Sequence, residues 1–207
     1  MGIDLNEILH DMEGRLSDID YIRLKDIPDI ELYMDQVTTF MDTHLGSMKR
    51  YDDDKVLTKT MINNYAKNNL LPPPVKKKYS KDHMLILTFI YYFKSILSIK
   101  DIESLLNPLC DEHFSTTSNV TLSEVYKQVC ETAKEQMKSF PKELEGVFAS
   151  VKESVRNNLN INSENDTYLE YFSIICYLAF DSYMKKFIIE QLIDQMNPPE
   201  DKNKKQK

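Results

Sequence analysis

A chain of 207 residues, 42% hydrophobic and 29% charged, has the composition of an ordinary folded protein, which excludes a disordered or fibrous chain. Only four glycines and no tryptophan, among many Leu, Ile, Met, Lys and Glu residues, favour helices and leave no glycine-rich phosphate loop or dinucleotide fingerprint. The net charge of −7 argues against nucleic acid as a partner until it is mapped along the chain.

No run of about eighteen apolar residues is present, so no membrane span is expected. The richest run, 171–180, is short and leads into Lys185 and Lys186. The acidic, amphipathic start (MGIDLNEILHDMEGRL) lacks the basic region and cleavage site of a secretory signal, and Asn6 breaks the acylation pattern that Gly2 would open. Three scattered cysteines, Cys110, Cys130 and Cys176, fit a reducing compartment, and a cytoplasmic location is expected.

In chain order, Leu5 to Ile19 forms an amphipathic stripe, and Pro28 stands where a first helical turn accepts proline. Ile30 to Leu45 reads as a helix burying Ile30, Met34, Val37, Phe40 and Met41, with Gly46 in the terminating position. Asp52, Asp53 and Asp54 read as a solvated turn facing away from the basic segment that follows. Thr58 caps a helix reaching about Lys67, which Asn68 and Asn69 stop with left-handed geometry and Pro72, Pro73 and Pro74 forbid from continuing. Val75 to Tyr79 is a short extended arm or hairpin. Ser80 caps a helix to about Ile96, and Ser98 a short one to about Leu106. A linker is expected over 107–120. Three more helices follow: one opened by Thr121 or Ser123, one by Pro141, and one from about Glu164 to Met196. The last is apolar nearly all round between Tyr168 and Phe180, which suits the middle of a bundle or a subunit interface. The final PPEDKNKKQK is expected to fray.

Charge is segregated. Residues 49–81 hold nine basic side chains (one arginine and eight lysines) against three acids, a local charge of +6, so the remainder carries −13. A basic island in an acidic chain is the asymmetry expected when one surface faces phosphate, although a solvated lysine face is the common alternative.

Within that island, LTKTMINNYAKNNLLPPPVKKKYSKDHMLILTFIYYFKSILSIKDIESLL resembles the DNA-binding domain of the MerR family in three successive fragments. LTKTMINNYAKNNLLPP resembles the recognition helix and its exit, with Thr58 on the capping serine, Tyr65 on the second tyrosine of a pair and Asn69 on a glycine. KKKYSKDH resembles the wing, with Lys77 on its arginine and Tyr79 on its tyrosine. LSIKDIESLL resembles the closing helix, with Ser98 as cap and Ile99, Ile102 and Leu105 as core. The match spans about a quarter of the chain. The whole chain is also similar to an uncharacterised family of low-GC Gram-positive bacteria, a domain of unknown function with a MerR-like segment. Departures are plain. The family's first helix is missing from its usual place, so Ile30 to Leu45 must serve; Thr60, Asn63 and Asn64 replace two arginines and a tyrosine; and the wing is shorter.

The resemblance implies an all-α fold: a winged helix-turn-helix with at most a short two-stranded wing, plus a C-terminal helical bundle. The expected division is an N-terminal helical segment (1–29), a DNA-binding domain (30–106), a linker (107–120), a helical domain (121–196) and a tail (197–207). The expected function is that of a sequence-specific regulator contacting double-stranded DNA through Thr58, Lys59, Thr60, Asn63, Asn64, Tyr65, Lys67, Lys76, Lys77, Lys78 and Tyr79. Asparagine can pair bidentately with adenine, and lysines on a wing can contact phosphate. Surface or core roles for Asn63, Asn64 and Tyr65 remain the alternative. A homodimer is expected, with a small-molecule effector as a further candidate partner and no membrane. No catalytic constellation can be assembled, so no enzyme is expected. No cofactor or metal is expected either: Cys110 and His113 could share a helical turn but lack a second ligand pair. The rival reading is a protein–protein adaptor that keeps the fold without binding DNA.

Overall fold

The computed structural model describes residues 22–116, 120–159 and 167–196. The expected Leu5–Ile19 stripe and the 197–207 tail lie outside them. The described residues are mostly helical, with one two-stranded antiparallel sheet. They fall into two compact units, one on Leu24–Tyr126 with the end of the last helix from Lys185, the other on Lys127–Met184.

The first unit opens with a 3-10 turn, Leu24–Asp26, and strand β1, Leu32–Tyr33. Pro28 therefore lies in a bend and not in a first helical turn. Helix α1, Met34–Leu45, starts where the Gln36 side chain accepts the Tyr33 N–H at 2.8 Å. It buries Val37, Met41 and Leu45 on one face, while Met34 and Phe40 are half-buried. Ile30, expected in that helix and its core, precedes it and is exposed. Gly46 does not adopt the left-handed terminating conformation; with φ −63° and ψ −30° it passes α1 into a 3-10 turn, Gly46–Met48. The next turn, closed by Asp54 N–H to the Tyr51 carbonyl at 3.1 Å, keeps Asp52, Asp53 and Asp54 exposed.

Helix α2, Lys59–Lys67, is followed by the proline segment and strand β2, Lys78–Tyr79, which pairs antiparallel with β1, Leu32 opposite Tyr79 and Tyr33 opposite Lys78. Helix α3, Lys81–Phe93, is the axis of this unit, with His83 to Ile90 all buried. An all-round apolar helix has to be central. Its buried Thr88 is satisfied, Oγ1 donating to the Met84 carbonyl at 2.8 Å.

Helix α4, Ile99–His113, is capped by Ser98 as expected but runs past Leu106 through Pro108. The linker expected from residue 107 thus begins only after His113. Pro108 forfeits one helical hydrogen bond, which burial of Ile102 and Leu106 and half-burial of Leu109 and Cys110 offset. Helix α5 is continuous from Leu122 to Leu159, so Pro141 sits inside one helix and does not start a second. The flanking pattern stays helical on both sides of Pro141. Within α5, Leu122 and Tyr126 are buried, Tyr126 edge-on to Phe89 with ring centroids 5.3 Å apart.

In the second unit, Leu144, Phe148 and Ile174 form a small core flanked by Val147, Val151, Tyr171 and Leu178. Helix α6, Thr167–Met196, contributes Ile174, and its Glu170 accepts from Arg156 Nε at 2.7 Å. Among the described residues no helix is long and apolar enough to cross a membrane.

Candidate nucleic-acid interface

The local geometry of α2 follows from its sequence. Thr58, with extended backbone, accepts the Met61 N–H on Oγ1 at 3.2 Å, satisfying one of the helix's orphan donors. At the other end Asn69 turns left-handed (φ 58°), and Leu70 and Leu71 return N–H bonds to the Tyr65 carbonyl at 2.9 and 3.3 Å. The first of these is the six-to-one bond of a Schellman stop, with asparagine replacing the usual glycine. Leu70 and Leu71 are then buried and anchor the exit.

The stop fixes which side of α2 faces solvent. Ile62 and Tyr65 are buried, whereas Thr60, Asn63, Asn64 and Lys67 are exposed. Their spacing is i, i+3, i+4, i+7, one continuous polar stripe. Lys59 is also exposed but pairs with Asp35 of α1.

After Pro74 the chain makes a tight turn, Val75–Lys78, closed by Lys78 N–H to the Val75 carbonyl at 2.9 Å. Both central residues are left-handed, Lys76 at φ 51° and Lys77 at φ 63°. This is type I′ geometry, which matches strand twist but ordinarily calls for Asn-Gly. Two lysines here hold their ammonium groups out at the tip of the turn, both exposed, and among the described residues neither pairs with a carboxylate.

The eleven residues expected to contact DNA therefore separate. Thr60, Asn63, Asn64, Lys67, Lys76 and Lys77 are exposed, and Lys59 and Lys78 are accessible but paired, Lys78 with Glu31 at 3.3 Å. Thr58 is the half-buried cap. Tyr65 and Tyr79 do not belong on the surface. Both are core residues, exposed by only 7% and 3%, and burial pushes both phenols above their ordinary range. Composition did not reveal the acids Asp29, Glu31 and Asp35, which pair with Lys81, Lys78 and Lys59; their signal is charge just before β1 and on α1, which only the fold brings opposite the lysines.

His83 supports the turn from beneath. Its Nδ1 accepts the Ser80 N–H at 3.0 Å, so in the neutral ring the proton sits on Nε2, toward the Pro73 and Pro72 carbonyls but without a well-formed hydrogen bond. The rings of Tyr79 and Phe114 stand edge-on to it. Burial holds its pKa below the ordinary value, partly opposed by those carbonyls and Asp82. On α4, burial, with Asp111 and Asp82 nearby, pushes the Cys110 thiol up to about 11, leaving it protonated and a poor metal ligand at neutral pH. Among the described residues no cluster of three His, Cys, Asp or Glu side chains is placed to hold a metal.

Residues 22–129, just over half the chain and spanning the elements from the first 3-10 turn to the start of α5, match a family described as a domain of unknown function (DUF1836). The chain belongs to that family. Comparisons with curated proteins and with solved structures return no match. The DUF1836 segment holds the α2 stripe, the lysine turn and most of the first unit's core.

Proposed function

We propose that this DUF1836 protein is a sequence-specific DNA-binding regulator in which α1 and α2 act as a helix-turn-helix and the Val75–Lys78 turn as a short wing. The observation that carries this reading is an exposed Thr60–Asn63–Asn64–Lys67 stripe followed, at the next turn, by two left-handed, exposed lysines with no carboxylate partner among the described residues. Asparagines on such a stripe offer bidentate contacts to adenine, worth about 1–3 kcal/mol each in discrimination. Lys67, Lys76 and Lys77 offer phosphate contacts that position the helix without reading sequence. The same stripe on a dimer would read paired half-sites.

The deciding experiment is sequencing of fragmented genomic DNA retained by the purified protein, beside its Lys76→Glu, Lys77→Glu, Lys78→Glu variant, at near-physiological salt. A motif enriched by the native protein and lost in the variant is expected. Absence of enrichment by a folded native protein removes the reading.

A second reading, a protein–protein adaptor, is favoured by one specific observation. Four basic residues of the island, Lys49, Lys59, Lys78 and Lys81, are already paired with Asp42, Asp35, Glu31 and Asp29. On that reading the stripe meets a polar protein surface, and duplex binding is absent in native protein and variant alike.

A further inference from the structure

A separate feature lies between the loop that follows α1 and the end of α3. There a cleft of about 440 Å³ is lined by Lys49, Arg50, Asp54, Lys55, Tyr91 and Lys94, among others. Its charges are poorly balanced. Lys49 is mostly buried and pairs with Asp42 at 2.6 Å, leaving Arg50, Lys55 and Lys94 against Asp54, which itself accepts the Tyr51 N–H at 3.1 Å.

Lys94 is the most telling of these. Its ammonium is half-buried, donates to the Val56 carbonyl at 2.7 Å and lies 4.7 Å from the Tyr91 ring centroid, with no carboxylate within ion-pair distance among the described residues. A cation taken out of water is costly unless a counter-charge or several hydrogen bonds compensate it, and here one carbonyl and a ring face do so in part. Arg50, which among the described residues also has no carboxylate partner, is steadied 5.2 Å from the Tyr51 ring centroid. A guanidinium presents a planar fork suited to phosphate or carboxylate oxygens. Lys55 supplies a third, solvent-exposed cation at the mouth.

We infer that this cleft binds a small multivalent anion, a phosphate ester or polycarboxylate, with Lys94 as the inner counter-charge and Arg50 and Lys55 as the outer clamp. The site stands whether or not α2 contacts DNA, because it uses neither the stripe nor the lysine turn.

The test is calorimetric titration of the full chain at constant ionic strength with pyrophosphate, with citrate, and with acetate as a monovalent control. One saturable site for pyrophosphate or citrate and none for acetate is expected, and whichever of the two binds tighter names the chemical source. Arg50→Ala with Lys55→Ala should weaken that binding about tenfold or more, the loss expected for charge-assisted bonds. Both positions are exposed in a loop, so folding should hold; if it does not, Arg50→Lys keeps the charge, removes the fork and should still weaken binding. Lys76→Glu with Lys77→Glu should leave binding within about twofold, since that turn contributes nothing to the cleft. Absence of saturable binding by both multivalent anions overturns the site. An equal loss in the turn variant also overturns it, because the anion would then be sensing only the general field of the basic island.

Discussion

Lys76 and Lys77 hold a backbone conformation that costs an L-residue with a Cβ about 1 kcal/mol or more each. The cost is tolerated because Tyr79 is buried and β2 is paired on β1, which fixes the C-terminal side of the turn. Replacing Lys76→Asn with Lys77→Gly supplies the residues the turn geometry favours and should stabilise the protein by about 1–2 kcal/mol, raising its melting midpoint by a few degrees. On the DNA reading the same change weakens duplex binding by removing two phosphate contacts. Melting curves beside fluorescence-anisotropy titrations separate the effects, and a destabilised variant would contradict the turn assignment. His83 makes a second prediction at this scale. Its folded-state pKa lies below the ordinary 6.5, so on acidification the unfolded chain takes up a proton before the native one does. Stability contributed by the neutral ring is therefore intact above about pH 7 and falls as pH drops through 6.5 toward the native value. Gln at the same helical position can still accept the Ser80 N–H, as in a capping box, but does not titrate. His83→Gln should thus flatten the decline in melting temperature between pH 7 and 5, whatever its effect on absolute stability; an unchanged slope would assign the acid sensitivity elsewhere.

Among the elements, α2 divides the work between its two faces. Ile62 and Tyr65 attach it to the core, so the stripe of Thr60, Asn63, Asn64 and Lys67 can change with little structural consequence. Asn63→Ala with Asn64→Ala should leave the melting midpoint nearly unchanged, as exposed substitutions do, yet relax preference at the motif positions by about 1–3 kcal/mol per lost asparagine contact. Lys67→Gln should instead weaken all sequences alike and reduce the salt dependence of log affinity by about one unit. Competition binding over a set of mismatched duplexes checks both, and equal loss across all duplexes for the asparagine pair would deny them any part in base readout. This element was legible in sequence because its signals are local: Thr58 caps it, Asn69 stops it and three prolines forbid its extension. The start of α1 was not. The pairing of Leu32–Tyr33 with Lys78–Tyr79 joins segments over forty residues apart, and no periodicity in two residues announces it. Pro141 misled for the opposite reason, since it was read as a helix start while one continuous helix carries it. At the candidate interface the exposed polar positions were legible from helical spacing. The burial of Tyr65 and Tyr79 and the ion pairs of Lys59, Lys78 and Lys81 were not, because both depend on what the fold places beside them.

Over the whole molecule, two surface features stand out among the described residues: the basic segment in an acidic chain and the exposed apolar side of α6. Phe172, Ile175, Tyr177, Phe180 and Tyr183 are between 49% and 65% exposed. At the areas typical of such side chains they present roughly 600 Å², already at the upper end of what a monomer usually leaves open. Burying that much on each of two copies removes about 1,200 Å², the lower bound of a specific interface. A second copy is also what a regulator of paired half-sites requires, so the dimer and the DNA reading support each other without either depending on the other. Phe172→Glu with Phe180→Glu tests the dimer directly. Both side chains project largely into solvent, so the substitutions should cost the protomer little, whereas charges facing each other across a two-fold interface would prevent its closure. Light scattering should give the native protein about twice the 24.3 kDa chain mass and the variant the chain mass itself, with unchanged helical content by circular dichroism. On DNA, the variant should keep its contact with a single half-site and lose the added affinity for two, because the second contact is no longer intramolecular. A native protein that is monomeric at micromolar concentration would remove the dimer and leave α6 open to a different protein, which is where the adaptor reading would then have to find its partner.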